Sequence, residues 1–416
     1  MLHCSWLRKL VSLRGLPIAQ AFSKSLKVIG FDTDAEKLRR LKQGESISHY
    51  NLHLTADPGD IGKADFIIIC VPTPVTRSKE PDLSYVKDAA TIVGRSMKKG
   101  SFVILESTVY PGVTDEIVKP ILEREAGVRC GEDFKIAYSP ERINPGDNEH
   151  TIDKTTKVVA GMDDEATEVV AELYQKIIPH IFKAKNIKTA EAAKVIENIQ
   201  RDLNIALMNE LAIIFEKMGL NTRDVFDAAA IKWNFHFYSP GLVGGHCIPV
   251  DPYYLVYKAR ELGYHPQVIL AGRAINDYMP KHLAEMTTRA LNNEGKAAKG
   301  SKVLIMGLTY KENVADTREA PVMALVKELK ELGVEVFGYD PLLDDIETEF
   351  AIKVVNCLDE SPKLDCIVLT VAHDAFKKLT LDELERLMSG KLLLIDVRGL
   401  FDEREVKRRG GSYYKL

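Results

Sequence analysis

The sequence predicts an α/β chain: two doubly wound, Rossmann-like domains joined by a central helical domain with a long connecting helix. Three observations predict it. Short, continuously apolar, β-branched runs alternate with helical stretches at both ends of the chain. Between them lies a helix-periodic stretch of about thirty residues, longer than an ordinary globular helix. At 416 residues the chain exceeds one typical core, and its 45% apolar and 28% charged content is ordinary for a globular protein.

In order along the chain, "LKVIGFD" from Leu26, "ADFIIICVP" from Ala64 and "GSFVILEST" from Gly100 read as strands buried on both faces. Such strands belong to a parallel sheet covered by helices. "DAEKLRRLKQG", ending at Gly44, reads as an intervening helix with its C-terminal glycine. The stretch from Lys188 to Leu220 keeps helical periodicity with no Pro or Gly before its end. It is either a core helix or one that joins two domains and supports a subunit interface; its length favours the second. After a polar linker from Asn292 to Ser301, "KVLIMGL", "VEVFGYD", "DCIVLTVA" and "KLLLIDVRG" read as four more parallel strands. The expected domains are residues 1–187, 188–291 and 292–416.

A net charge of −4 argues against a general nucleic-acid or membrane-surface binder. The six cysteines form no CxxC pair, so neither a disulfide framework nor a thiolate metal site is expected. Arg8 and Lys9 interrupt the N-terminal apolar residues, so no signal peptide is expected, and the most apolar run, "FIIICV", is too short to span a bilayer. These features fit a reducing, cytoplasmic setting.

In an open α/β sheet, ligands sit beyond the carboxyl ends of the strands. Asp32 closes the second strand, where a carboxylate can accept from both ribose hydroxyls of a dinucleotide. Thr73 and Thr108 end the next two strands, as ligand contacts or as turn caps. Lys194 and Asn198 stand four residues apart on the long helix and share a face. They are either surface residues or a cation and an amide able to stabilise an oxyanion. In "GLVGGHCIPVDPYYL", Asp251 and Pro252 read as an N-cap and first helical residue. Cys247 is either an inert small hydrophobe or a nucleophile favoured by the nearby helix start, with Gly244 and Gly245 allowing close approach to a ligand.

The motif "GGHCIPVDPYYL" resembles the catalytic-cysteine motif of the nucleotide-sugar 6-dehydrogenases, the UDP-glucose and UDP-N-acetylhexosamine dehydrogenase family. "SPERINPG" from Ser139, "EAAKVIEN" from Glu191 and "GLTYKENVADTREAP" from Gly307 resemble its other signatures, in the family's order. The resemblance runs from about Gly15 to the C-terminus. It implies NAD as cofactor, a UDP-sugar substrate, and a homodimer formed through the central helical domain. It implies oxidation of a primary alcohol at sugar C6 to a carboxylate in two hydride transfers, through a thioester on Cys247. Lys194 and Asn198 would stabilise the oxyanion, and Asp251 would handle the hydrolytic water, with Thr108 and Glu141 as water or proton-transfer partners. Gly15, Asp32, Lys37, Thr73, Thr108 and Arg318 would face the cofactor. Glu141, Arg142, Lys194, Asn198, Tyr238, Gly244 and Lys311 would face the substrate, and His246 would be structural. Val250 before the motif aspartate and Arg142 after "SPE" resemble the N-acetylhexosamine branch, particularly the N-acetylmannosamine enzymes, more than the UDP-glucose branch. The alternatives are a UDP-glucose enzyme and a nucleotide-sugar-binding protein that has lost turnover.

The family's G-x-G-x-x-G loop is incomplete here. Leu10 and Ser12 stand at the first two glycine positions, and Gly15 at the third. A frame slip, a misassigned start or true divergence would each produce this. Side chains at positions 10 and 12 should crowd a pyrophosphate, so weak NAD⁺ binding and a distorted first strand or phosphate loop are expected. Leu10→Gly with Ser12→Gly should tighten binding in calorimetry; tight binding without them, and no gain from them, contradicts this reading.

Overall fold

The structure, a computed structural model, describes residues 3–8, 15–43, 51–142, 154–343, 347–355 and 357–416. It divides into two compact units, Met1–Asn198 with Val250–His265, and Ile199–Pro249 with Pro266–Leu416.

The first unit runs β1 (His3–Arg8), α1 (Gly15–Ser23), β2 (Lys27–Asp32), α2 (Ala35–Gln43), β3 (Leu52–Thr55), β4 (Phe66–Ile69), α3 (Ser84–Ser96), β5 (Phe102–Leu105), α4 (Lys119–Ala126), β6 (Lys135–Tyr138), β7 (Lys157–Gly161), α5 (Asp164–Gln175), β8 (Ile181–Lys183) and the first turns of α6 (Ile187–Met218). Its sheet has the order β3-β2-β1-β4-β5-β6-β7-β8. Order reverses between β1 and β4, the switch point of a Rossmann sheet. Both faces are covered, as the apolar runs require: Ile67, Ile69, Val103 and Leu105 enter one core, and Phe66, Ile68 and Ile104 the other.

One expectation is corrected. The sheet is not wholly parallel, because β7 runs antiparallel to β6. A parallel return needs a crossover to the far edge, and β7 re-enters the sheet where β6 leaves it. The first strand is not distorted: β1 pairs in regular parallel register with β2 and β4. Ladder bonds come from the backbone, so a strand flanked on both sides forms without a wholly apolar run. Leu10 and Ser12 lie outside the described residues.

The second unit contains the rest of α6, α7 (Thr222–Ala230), α9 (Gln267–Asn293), β9 (Lys302–Met306), α10 (Val322–Glu331), β10 (Glu335–Tyr339), α11 (Glu347–Phe350), β11 (Lys353–Val354), β12 (Cys366–Leu369), α12 (Leu381–Leu387), β13 (Leu393–Asp396), α13 (Glu403–Arg408) and β14 (Ser412–Tyr414); α8 (Asp251–Glu261) returns to the first unit. Its strands follow the order β11-β10-β9-β12-β13-β14, all parallel. That is the order of the first six strands of the other sheet, so both ends of the chain carry the doubly wound topology. Among the described residues, no helix is long and apolar enough to cross a membrane.

Candidate functional site

In the first unit, the chemistry-bearing residues gather where strand ends meet loops. Asp32 ends β2, is buried, and binds Lys37 Nζ at 2.8 Å and the Asp34 N–H at 3.0 Å. Lys37 thus neutralises this carboxylate. Thr73 and Thr108 lie past the ends of β4 and β5; β3 intervenes between β2 and β4, so they are not on the next two strands after Asp32. Their loops are tied together by Ser107, whose hydroxyl donates to the Val71 carbonyl and accepts from the Val71 N–H, both at 2.8 Å. Beneath them Glu106 is ion-paired to Lys157 and accepts from Cys70 Sγ at 2.9 Å and Tyr174 Oη at 3.2 Å. Burial raises the Glu106 carboxyl, opposed by the Lys157 charge. Glu141 is buried and accepts from the Arg142 N–H at 2.7 Å. The Arg142 guanidinium binds Glu197 at 2.7 Å and the Thr156 carbonyl at 3.0 Å.

One face of α6 carries Glu191, Lys194, Asn198, Asp202 and Asn209, at spacings of three, four, four and seven residues, all buried. The surface reading of Lys194 and Asn198 is therefore excluded. Glu191 accepts from the Gly112 N–H at 2.6 Å, the Thr114 N–H at 2.9 Å and the Thr114 hydroxyl at 2.7 Å. Asn198 Nδ2 donates to Asp251 Oδ2 at 2.5 Å, leaving its second amide hydrogen for another acceptor. Lys194 is 7% exposed, and no hydrogen bond or ion pair joins its Nζ to any described residue. A buried ammonium without a counter-ion is costly unless an anion arrives to meet it. Asp251 is not the N-cap of α8: Val250 holds that position without a side-chain cap, and Asp251 lies in the first turn, turned to Asn198.

Burial pushes the Glu191 carboxyl from 4.5 up to about 7, against the pull of its three donors. The folded state then binds the proton more readily than the unfolded chain. Its contribution is fully present below about pH 4.5 and is lost as pH rises through about 7. Thermal melts at pH 5 and 8 should show this decline, and Glu191→Gln should flatten it; an unchanged slope in the variant would refute the assignment.

In the second unit, Cys247 is half-buried in the irregular loop before α8. The space beside Gly244 and Gly245 is filled by the protein itself. A Cβ on Gly244 would meet Pro321 Cδ at 2.4 Å and the Glu319 carbonyl at 2.8 Å; one on Gly245, at φ +87°, would meet the Tyr310 ring at 2.7 Å. In the direction a Cβ would take, the close approach these glycines allow is to their own chain. His246 Nε2 lies 4.0 Å from Asp316 Oδ2. Arg318 holds the same carboxylate with two bonds, at 2.9 and 2.7 Å. Lys311 is half-buried, with its carbonyl bound by the Thr309 hydroxyl at 2.9 Å, and Tyr238 is half-buried in the stretch leading to Gly241.

The described residues fit a dinucleotide: the strand order reverses beside β1, α1 opens at a buried Gly15, and Asp32 ends the neighbouring strand. Glu106, Lys157, Glu191 and Asn209 were missed as site-supporting residues. Their signal was present: a charged or amide side chain adjoining a doubly covered strand, or in the apolar stretch of a helix, must find a partner.

The chain resembles known proteins along nearly its whole length. Descriptions of the UDP-glucose/GDP-mannose dehydrogenase family match the chain at its NAD binding domain over residues 14–178, its central domain over 188–278 and its UDP binding domain over 304–403. The chain is 44% identical over 402 residues to a UDP-N-acetyl-D-glucosamine 6-dehydrogenase of Pseudomonas aeruginosa, covering 94% of this chain and 95% of that one. It is 32% identical over 411 residues to a UDP-N-acetyl-D-mannosamine dehydrogenase of Methanocaldococcus jannaschii, covering 97% and 90%. Among solved structures, a UDP-D-ManNAc dehydrogenase from Pyrococcus horikoshii superposes with TM-score 0.89 at 29% identity, covering 100% of this chain and 99% of that one. With all three of its domains matched in order, the chain belongs to the UDP-glucose/GDP-mannose dehydrogenase family.

Proposed function

We propose that the protein oxidises C6 of a UDP-N-acetylhexosamine to the uronic acid, through a thioester on Cys247. The observation that carries this reading is Lys194, a buried cation with no counter-ion among the described residues, one helical turn from an amide that Asp251 holds by one hydrogen. This arrangement suits an oxyanion that exists only during reaction. NAD⁺, when bound, takes up a hydride in each of two rounds. The substrate alcohol becomes an aldehyde, and Cys247 Sγ attacks its carbon to form a thiohemiacetal. Loss of hydride from that carbon leaves the thioester, and water then displaces the thiolate. In sum, one alcohol, two NAD⁺ and one water give one carboxylate, two NADH and three protons. Lys194 and the second Asn198 hydrogen offset oxygen charge in these steps. Asp251, fixed by Asn198, orients the water and takes its proton, with Thr108 and Glu141 as partners. Lys311 and Arg318 contribute cations for the two pyrophosphate ligands.

Val250 and Arg142 support an N-acetylated sugar. The higher identity to a relative named for the gluco epimer supports that epimer over the manno epimer expected from the motifs alone. Leu207, Ile214 and Met218, exposed on α6, support a homodimer through the central helix. NADH formation with UDP-N-acetylglucosamine, UDP-N-acetylmannosamine and UDP-glucose side by side tests the substrate. The expected kcat/KM is about 100-fold higher for an N-acetylated sugar than for glucose, because an acetamide site is left unpaired by a hydroxyl. Equal values for UDP-glucose would refute the assignment.

A further inference from the structure

We propose that Asn209 is a positioning residue for Cys247, acting by clamping both backbone groups of Gly241 at the entrance to the cysteine loop; the inference rests on the thioester reading above. The Gly241 N–H donates to Asn209 Oδ1 at 2.7 Å, and Asn209 Nδ2 donates back to the Gly241 carbonyl at 3.0 Å. This closed pair fixes the position and the direction of the chain at that residue. Gly241 has φ +153°, and a Cβ there would lie 3.2 Å from Arg398 Nη1, so no larger residue fits the clamp without strain.

The amide cannot turn over, because a chain of buried partners sets its orientation. Arg273 Nη1 binds Asp202 Oδ1 at 2.5 Å. A carboxylate only accepts, so Asn276 must present its nitrogen to it, at 2.8 Å, and to the Asp202 carbonyl, at 2.9 Å. Asn276 Oδ1 therefore faces Asn209 and takes the second hydrogen of Asn209 Nδ2 at 2.8 Å. Asn209 Oδ1 is left pointing at the Gly241 N–H. Asp202 and Asn209 are fully buried, and Arg273 and Asn276 are 2% and 3% exposed. In a site closed to water, breaking any link leaves polar groups unsatisfied, so the chain has one arrangement.

Gly241 stands six residues before Cys247, and the loop has a second anchor between them. The Gly245 N–H donates to the Glu319 carbonyl at 3.3 Å, with the Tyr310 ring packed against Gly245. A loop fixed at two points holds the sulfur in place for attack, and misplacement by about 1 Å costs on the order of 100-fold in rate.

Asn209→Ala should lower kcat for uronic acid by about 100-fold, with KM for the UDP-sugar changed by less than about threefold. More aldehyde should escape, captured as an oxime by added hydroxylamine, because the first oxidation does not need the thiol. Equal loss in both oxidation steps, or wild-type kcat, overturns the proposal. If the variant does not fold, hydrogen exchange on the wild-type protein decides: the Gly241 amide should be protected like the core of α6, and exchange as fast as the residues from Phe235 to Tyr238 overturns it. If the wild-type protein makes no uronic acid, the functional reading fails. The clamp is then judged by the iodoacetamide labelling rate of Cys247, expected to change at least about fivefold in Asn209→Ala and overturned by an unchanged rate.

Discussion

Cys247→Ala is expected to reduce uronic-acid formation by more than about 1,000-fold while leaving the UDP-sugar dissociation constant within about threefold of wild type. The size of the effect follows from the chemistry. Oxidising an aldehyde to an acid requires a tetrahedral carbon from which hydride can leave, and the thiol supplies the fourth substituent. Without it, the second oxidation depends on spontaneous hydration. The binding surface is little disturbed, because only the half-buried sulfur is removed and the loop's glycine packing against Tyr310 and Pro321 remains. The measurement is NADH yield per sugar together with calorimetric binding. Sustained formation of two NADH per sugar by the variant would contradict the covalent role.

Lys194→Met is expected to have effects of opposite sign on turnover and stability. Turnover should fall by about 100- to 1,000-fold, as when one preorganised oxyanion donor is removed, with little change in KM. The melting temperature should rise by at least about 2 °C, because an apolar side chain of similar length replaces a buried ammonium with no described counter-ion. Asn198→Ala should lower turnover in the same way but lower the melting temperature, since it leaves the buried Asp251 carboxylate without its 2.5 Å partner. If both variants weaken only substrate binding, the oxyanion assignment is wrong. A lowered melting temperature in Lys194→Met would mean that the ammonium is stabilised within the fold.

Much of the fold was legible in the sequence, for identifiable reasons. Runs such as Phe66–Ile69 are apolar at every position because both faces of their sheet are covered, and their shortness and β-branched content favour a strand over a buried helix. The long helix was legible from uninterrupted periodicity, within two residues at each end. Short strands such as Ile181–Lys183 were not, because three residues carry too little pattern. The antiparallel turn into Lys157–Gly161 was hidden because strand direction leaves no mark on a short apolar run.

The candidate site was legible as residue types in motifs but not as partners. The reading of Asp251 as a cap followed from the Asp-Pro pair, yet the side chain turns to Asn198, fifty-three residues away in sequence. The glycines before Cys247 were legible as small residues, but their packing against Tyr310 and Pro321 was not. The pairing of Glu106 with Lys157 joins residues fifty-one apart, and no local rule specifies it.

The covalent intermediate on Cys247 is the central claim, and turnover in hydroxylamine tests it most directly. With NAD⁺ and a UDP-N-acetylhexosamine, a thioester would be intercepted as the hydroxamate of the uronic acid, whereas free aldehyde would give the oxime. Mass analysis of the products is expected to show hydroxamate at the expense of free acid, rising with hydroxylamine concentration. Free acid alone, or acid accompanied only by oxime, would contradict the account.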